Sequence, residues 1–236
     1  MDLEIKGFHE TSFLDWDGKI VSVVYLPLCN LRCPFCHNSG LVEAPQSYST
    51  IPKEKIFAFL DDHLDFIDGV CITGGEPTLH KDKGLFEFAR EIKNRGLLVK
   101  IDSNGTDPDC LQKLIDENLI DYVAMDIKGP INERYSNICR TKVDIEKIKK
   151  SIGLIMSRKI HYEFRTTVVP TLLSFEDVVG VARSIAGAEK YALQQFKAEN
   201  CWEPEMLKIK PYSKEELELM AKAAQAYVSN TILRGV

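Results

Sequence analysis

Residues 20–36 read IVSVVYLPLCNLRCPFC, a β-rich run that leads directly into three cysteines. Cys29, Cys33 and Cys36 have the spacing C-x3-C-x2-C, so a short loop after the strand can point three sulfurs at one centre. Thiolates are ligands that suit zinc and iron–sulfur clusters. This stretch therefore predicts a strand that ends in a metal centre.

Zinc is one alternative occupant of this loop, with His37 as the fourth ligand. His37 is adjacent to Cys36, however, and neighbouring residues rarely converge on one ion with tetrahedral geometry. No second C-x2-C motif follows in the sequence to complete a four-cysteine zinc site. Three incidental core cysteines are a further alternative, which this spacing disfavours. The loop thus favours an iron–sulfur cluster that is held by three cysteines.

The composition is that of a globular protein. The chain has 236 residues, of which 44% are hydrophobic and 28% are charged. A net charge of −5 argues against nucleic-acid binding as the main activity. The longest apolar run, residues 20–29, falls short of the ~20 residues that span a bilayer. No secretion signal opens the sequence. We therefore expect a cytoplasmic protein with neither a membrane nor a nucleic acid as partner.

Short β-rich runs alternate with amphipathic helical patterns along the chain. Six strands are predicted, at residues 20–26, 69–73, 97–101, 122–126, 162–169 and 191–196, with five helices between them. This alternation predicts parallel strands with right-handed crossovers, either as an open doubly wound sheet or as an incomplete barrel. Polar residues follow strand after strand, which favours the barrel, because barrels gather function from the ends of many strands. The predicted fold class is α/β, a partial (β/α)6 TIM-like barrel.

The chain is expected to form a single domain over residues 1–236, with its core at about 19–196. Several helix ends are marked by their residue types. Gly96 is placed to end one helix, and Ser174 to cap another. Ser213 and Glu216 form a capping-box pattern that opens a helical extension at about 211–229.

Residues 73–77, TGGEP, follow the second predicted strand. Gly74 and Gly75 let the backbone approach a ligand closely, and Glu76 offers an acceptor for an ammonium group. The alternative is a strand-end turn with a surface glutamate.

Three other polar elements follow or interrupt later strands. Residues 102–105, DSNG, are also typical of an Asx-type turn, and Asp126 with Lys128 is also typical of a surface ion pair. Arg165 lies inside a β-rich run, where an arginine usually extends to solvent. Alone, each of these elements is ambiguous.

The cysteine loop resembles the signature of the radical S-adenosylmethionine (SAM) enzymes. In that superfamily three cysteines hold a [4Fe–4S] cluster whose fourth iron chelates the methionine end of SAM. One electron then cleaves the sulfonium to methionine and a 5′-deoxyadenosyl radical. The resemblance implies that Cys29, Cys33 and Cys36 bind the cluster, that Phe35 packs against adenine, and that Gly74, Gly75 and Glu76 form the motif that holds the SAM amino group.

The two later motifs, together with His37-Asn38 after the last cysteine, resemble those of glycyl-radical-enzyme activating enzymes. In that family the corresponding aspartates and hydroxyl residue lie beside the SAM carboxylate, around a monovalent cation. The resemblance implies that Asp102, Ser103 and Asp126 frame this cation, that Asn104 belongs to the same cofactor-binding motif, and that Lys128 and Arg165 contact SAM.

Residues 11–19, TSFLDWDGK, are similar to the opening segment of a short subgroup, the anaerobic ribonucleoside-triphosphate reductase activating proteins. Asp17 departs from that pattern, which usually has proline there. The resemblance implies a glycyl radical enzyme as protein substrate and a flavodoxin or ferredoxin-type electron donor. A 7-carboxy-7-deazaguanine synthase-like or other small radical SAM enzyme is the alternative, because TGGEP also occurs there. An iron–sulfur or zinc carrier module is a non-enzymatic alternative that would not need Glu76 or Asp102.

The first prediction concerns the metal. Protein reconstituted anaerobically with iron and sulfide should hold about one [4Fe–4S] cluster, because three thiolates match its ligand requirement. Cys33→Ala should lose or badly destabilise the cluster, whereas Cys110→Ala should not. Iron analysis and the visible absorbance of the cluster measure both. Zinc without iron in the wild-type protein would contradict the prediction.

Overall fold

A computed structural model describes residues 3–236, which contain eight strands and eight α-helices. The strands are β1 (Gly7–Ser12), β2 (Val21–Leu26), β3 (Gly69–Gly74), β4 (Leu98–Ser103), β5 (Tyr122–Asp126), β6 (His161–Val168), β7 (Tyr191–Gln195) and β8 (Thr231–Arg234). The helices are α1 (Ser39–Glu43), α2 (Lys53–Asp62), α3 (Leu85–Asn94), α4 (Pro108–Asp116), α5 (Arg134–Ile138), α6 (Ile145–Ser157), α7 (Phe175–Ser184) and α8 (Lys214–Ala224).

The strands form one mixed sheet in chain order, from β1 to β8. The six predicted strands correspond to β2–β7, so the α/β class is confirmed. The sequence prediction missed two strands. β1 pairs antiparallel with β2, and its register shifts between His9 and Ser12. β8 pairs parallel with β7 and has four residues.

The chain divides into two compact units. The first comprises the chain up to Asn30, Asn38–Ser103 and Asp109–Val123. In it, β2 pairs parallel with β3, and β3 with β4. One face of these strands carries an apolar cluster of Trp16, Val21, Val23 and Cys71. The opposite face buries residues such as Ile72 and Ile101, and α3 packs against β4 with a fully apolar buried stripe.

The second unit comprises Leu31–His37, Asn104–Pro108 and Ala124–Val236. In it, β6 pairs parallel with β7, and β7 with β8. The helix α8 contacts α7, β7 and β8. Tyr191 is fully buried, and its hydroxyl donates to Thr166, whose own hydroxyl donates to the Ile127 carbonyl. The expectation of a single domain over the whole chain stays a prediction.

The predicted helix ends are confirmed. Ser174 and Ser213 each cap a helix through a capping box, closed by Asp177 in α7 and by Glu216 in α8. Gly96 has a φ of +78°, a left-handed conformation that ends α3 at low steric cost. The extension predicted at 211–229 contains α8, and β8 follows it.

Among the described residues, no helix combines the length and apolar character that a membrane crossing requires.

An ion pair with a buried carboxylate of β6 helps to hold the strand β8, which the sequence prediction missed. Glu163 in β6 is 1% exposed, and Arg234 donates to both of its oxygens, at 2.6 and 2.8 Å. Lys190 Nζ lies 3.5 Å from Glu163 Oε2. Removal of the arginine would leave this carboxylate with less compensation, because a buried charge needs close partners.

We predict that Arg234→Ala lowers the free energy of unfolding by about 2 to 4 kcal/mol, since a broken buried pair costs about 3–5 kcal/mol and Lys190 remains. Arg90→Ala is the matched control, because it breaks a well-exposed pair with Glu117. That loss should stay below about 1 kcal/mol. Urea unfolding followed by circular dichroism measures both values, and equal losses would contradict the prediction.

Candidate functional site

The three motif cysteines lie in a loop that follows β2. Cys29 belongs to the first unit, and Cys33 and Cys36 to the second. The Cys36 amide donates to the Cys33 carbonyl at 3.0 Å, so these two residues lie at the ends of one tight turn. All seven cysteines lie among the described residues and are thiols rather than halves of a disulfide. Within residues 3–236, no three His, Cys, Asp or Glu side chains form a group that could hold a single metal ion.

Cys33 is buried, and its environment favours the thiolate. A hydrogen bond with the Cys139 thiol lowers the pKa of Cys33, and the Lys128 charge acts in the same direction, although burial opposes both. The Cys139 carbonyl also accepts a hydrogen bond from the Arg32 amide at 2.9 Å. Thiolates are the form in which cysteine binds metals. The environment of Cys33 therefore suits a metal ligand.

Phe35 is buried within the same turn, at the aromatic position between the last two cysteines. Directly after the loop, the side-chain amide nitrogen of Asn38, Nδ2, donates to the Gly74 carbonyl at 2.8 Å. The segment that leaves the cysteine loop is thus joined to the glycine motif at the end of β3.

The two glycines of that motif have a packing role inside the protein. The Gly75 amide donates to the Leu26 carbonyl, and the Glu76 amide to the Leu28 carbonyl, both at 2.8 Å. A Cβ at Gly75 would overlap the Leu28 carbonyl, and Gly74 has a φ of +114°. Glycine is therefore required for the close approach of two backbone segments. Their predicted approach to a ligand stays a prediction.

Glu76 is 1% exposed, so it is not the surface glutamate of the alternative interpretation. Its Oε1 atom accepts hydrogen bonds from the Thr78 amide at 3.2 Å, the Thr78 hydroxyl at 2.6 Å and the Ser103 hydroxyl at 2.9 Å. These donors fix the carboxylate. A fixed carboxylate is the kind of acceptor that the predicted contact with an ammonium group requires.

Ser103 and Asp102 end β4 and point to opposite faces of the strand, as successive strand residues do. Ser103 faces Glu76, whereas Asp102 Oδ2 accepts a hydrogen bond from the Thr73 hydroxyl at 3.0 Å. Asp102 Oδ1 lies 2.9 Å from Lys100 Nζ. Asp102 Oδ2 is therefore oriented by a hydrogen bond, and Oδ1 has an ion-pair contact that lacks a hydrogen bond, both with residues of the first unit.

Asn104 lies in the second unit. Its Oδ1 atom accepts from the amide and the hydroxyl of Thr106, at 3.0 and 2.7 Å. This is the Asx-type turn that the DSNG pattern also predicted. Gly105 has a φ of +74°, and the Ser151 hydroxyl donates to its carbonyl at 2.7 Å.

Asp126, Lys128 and Arg165 are brought together in the second unit. Asp126 Oδ2 accepts from Lys128 Nζ at 3.1 Å, and Asp126 Oδ1 accepts from Arg165 Nε at 3.0 Å. Burial alone would lower the pKa of Lys128, but the Asp126 carboxylate and the Cys33 thiol outweigh it and raise that pKa. The trio therefore carries two positive charges and one negative charge, with Asp126 and Lys128 at the end of β5 and Arg165 inside β6.

The sequence interpretation missed three residues that contact predicted site residues. Lys100 and Thr73 hold Asp102, and Cys139 contacts Cys33. Lys100 and Asp102 are two apart in one strand, so the strand period would have placed them on the same face. Cys139 is fully buried at the end of α5. No sequence spacing indicates that contact.

Comparisons with known proteins agree with these motifs. A family model described as "Radical SAM superfamily" matches residues 23–185. A Methanocaldococcus jannaschii protein named "Putative glycyl-radical enzyme activating enzyme" is 35% identical over 236 residues, which cover 98% of this chain and 96% of that protein. A 7-carboxy-7-deazaguanine synthase of Methanospirillum hungatei is 34% identical over 111 residues, 47% of this chain and 42% of that enzyme.

A solved structure supports the fold. A domain of pyruvate-formate lyase-activating enzyme from Bacteroides vulgatus superposes with a TM-score of 0.56, over 71% of this chain and 99% of that domain, at 18% identity. Identity at this level supports the fold alone. With the family match, it confirms the predicted partial-barrel class, built on an eight-stranded sheet that is not closed.

The hydrogen bonds to Glu76 give a third prediction. Thr78→Val removes the hydroxyl that donates to a buried carboxylate, and should lower the free energy of unfolding by about 1.5–3 kcal/mol. Thr106→Val is the matched control, because its hydroxyl donates to the neutral amide of Asn104. That variant should lose about 0.5–1.5 kcal/mol. Urea unfolding curves decide the matter, and a smaller loss for Thr78→Val than for the control would contradict the prediction.

Proposed function

This chain belongs to the radical SAM superfamily and is an enzyme, and we propose that it activates a glycyl radical enzyme. The observation that carries the proposal is the 35% identity to a relative with that name, over 98% of the chain. Such similarity along nearly the full length exceeds what a shared cofactor motif alone would give. The reaction would be abstraction of a glycine α-hydrogen on the partner protein.

Membership in this superfamily implies a [4Fe–4S] cluster and SAM, and the donor set fits both groups. The motif offers three thiols that are not in disulfides, and the lowered pKa of Cys33 eases the deprotonation that a ligand requires. We assign the cluster to Cys29, Cys33 and Cys36. When bound, the cluster supplies the one electron that cleaves the SAM sulfonium.

We assign the methionine end of SAM to the glycine motif. Glu76 would accept the SAM ammonium as a charge-assisted hydrogen bond, and Gly74 and Gly75 would keep side chains away from it. Thr78 and Ser103 hold the carboxylate in place, so little ordering is left to occur on binding. Phe35 would pack against the adenine, as the resemblance implies.

The carboxylate of SAM would be received by cationic side chains. Asp126 orients both Lys128 and Arg165, so their positive charges are held near one another with low freedom. Two cations and one carboxylate leave an excess of one positive charge, which suits an anionic group. We therefore propose that Lys128 and Arg165 contact the SAM carboxylate, with Asp126 as their positioning partner and Asn104 as part of the adjoining turn.

The resemblance also implies a monovalent cation beside Asp102, Ser103 and Asp126. The physical requirement behind it is a positive charge, because the SAM carboxylate would otherwise be repelled by neighbouring aspartates. We therefore propose that the SAM site contains a positive charge beside these three residues.

The proposed partner is anaerobic ribonucleotide reductase. The similarity of residues 11–19 to the short subgroup of its activating proteins supports this choice. Hydrogen abstraction from glycine requires positioning more than acid–base groups, which agrees with a site whose polar residues we assign to SAM. One electron per SAM is needed, and a flavodoxin or ferredoxin-type protein is the proposed donor.

A second candidate is the synthesis of 7-carboxy-7-deazaguanine. The identity of 34% to an enzyme of that name favours it, although the match covers 47% of this chain and 42% of that enzyme. The shorter match ranks it below activation.

The fourth prediction tests the substrate. Reduced, reconstituted protein should be mixed with SAM and the anaerobic ribonucleotide reductase of the same organism, labelled with deuterium at the glycine α-carbon. The deuterium should appear in 5′-deoxyadenosine, and an organic radical should be detected on the partner by electron paramagnetic resonance. The matched control is a partner in which the target glycine is alanine. A separate reaction with deuterated 6-carboxy-tetrahydropterin tests the alternative. Deuterium in 5′-deoxyadenosine from that substrate, with none from the reductase, would instead support the deazaguanine reaction.

A further inference from the structure

Lys100 is a buried lysine in the middle of β4. The residue is 2% exposed, and its Nζ atom lies 2.9 Å from Asp102 Oδ1 and 2.6 Å from the Asp15 carbonyl, to which it donates. It also contacts Cys71 Sγ at 3.8 Å. These three contacts of the ammonium come from within the first unit, and one of them is a predicted SAM-site residue.

The surroundings of Lys100 make a charge there costly. Its register partner in β3 is Cys71, whose own partner in β2 is Val23, and both belong to an apolar cluster with Trp16. Burial of an ion pair costs several kcal/mol of desolvation per ion. Replacement of such a pair by well-packed hydrophobic residues often leaves a protein at least as stable. Packing therefore does not account for a lysine at this position, whereas a requirement for positive charge at Asp102 does.

The geometry at Asp102 shows what that charge does. Lys100 faces Oδ1, and the Thr73 hydroxyl donates to Oδ2. The hydrogen bond orients Oδ2, whereas Oδ1 has an ion-pair contact without a hydrogen bond, and the negative charge of Asp102 is compensated by an ammonium on the same strand. A second carboxylate that approached Asp102 would meet a compensated charge, because the Coulomb terms of the aspartate and the lysine oppose each other.

We propose that the Lys100 ammonium supplies the positive charge that the resemblance assigns to a monovalent cation beside Asp102. Lys100 is then a positioning residue for SAM binding, acting through Asp102. The inference rests on the proposed function, because it concerns the SAM site of that enzyme. It implies that SAM binds equally well with or without added Na⁺ or K⁺.

The test measures SAM affinity, independently of turnover. Isotopically labelled SAM is titrated into anaerobic, reconstituted protein by equilibrium dialysis, in KCl or in tetramethylammonium chloride at equal ionic strength. The wild-type Kd should change by less than about twofold, since a built-in ammonium is present in both salts. A fivefold or greater weakening of wild-type binding in tetramethylammonium would overturn the inference, and this measurement needs no variant.

Lys100→Met keeps an apolar side chain of similar length and removes the charge. Its SAM affinity should fall at least about tenfold in tetramethylammonium, or about 1.4 kcal/mol, and KCl should restore most of the loss. Rescue by a specific cation is not expected from a structural defect. Binding by Lys100→Met that equals wild type in both salts would overturn the inference.

Lys93→Met is the matched control. Lys93 lies in α3, and its Nζ atom pairs at 2.6 Å with Asp121, the residue before β5. It removes a lysine–aspartate pair of similar length and should leave SAM affinity unchanged in both salts.

If Lys100→Met does not fold, Lys100→Met combined with Asp102→Asn removes both charges and should bind SAM with no salt preference. A salt preference in that double variant would count against the inference. Wild-type protein that binds no SAM in either salt would instead refute the proposed function.

Discussion

The hydrogen bonds to Glu76 Oε1 are the interaction on which the proposed site depends. This buried carboxylate joins the turn after β3 to the last residue of β4, through Thr78 and Ser103. The turn itself is tightened by Gly75, whose position leaves no room for a side chain against the Leu28 carbonyl. Because the donors belong to the fold, the carboxylate is fixed before any ligand arrives. Preorganisation of this kind reduces the ordering that binding must pay for.

Each of the two motif aspartates is compensated by protein cations, in two different ways. Asp102 faces Lys100, which has almost no exposure, and Asp126 faces the partly buried Lys128 and Arg165. The first arrangement leaves no net charge, and the second leaves an excess of one positive charge. A neutral arrangement tolerates an approaching anion, whereas a positive one attracts it. The two motifs therefore differ in their electrostatic contribution, although both begin with an aspartate that follows a strand.

The sequence predicted the six central strands because their apolar runs are bounded by turn residues, and it predicted the ends of α7 and α8 because capping is a local interaction. β1 and β8 were missed for a physical reason. β1 is mostly exposed or half-buried and lacks a clean two-residue period, and β8 has only four residues. The three cysteines, Glu76 and the two aspartate motifs were recognisable from spacing.

Other features of the site depend on contacts that no local pattern encodes. Lys100 donates to a carbonyl 85 residues away in the chain, and a lysine within an apolar run is ordinarily interpreted as facing solvent. The contact of Cys139 with Cys33 likewise joins a helix end to a distant loop. The glycines were predicted to make room for a ligand, and the structure adds that they make room for the backbone. Sequence patterns therefore suggest the residues of the proposed site more readily than the contacts that fix those residues in place.

The contact between Glu163 and Arg234 has a consequence for synthesis of the chain on the ribosome. Strands pair with their sequence neighbours in order, so each strand that emerges finds its partner already made. Glu163 is an exception, because the arginine that compensates it is translated 71 residues later. Until then, burial of β6 beside β7 would enclose a carboxylate whose remaining cationic contact, within residues 3–236, is Lys190. We therefore expect this part of β6 to stay hydrated in the nascent chain until β8 has been translated.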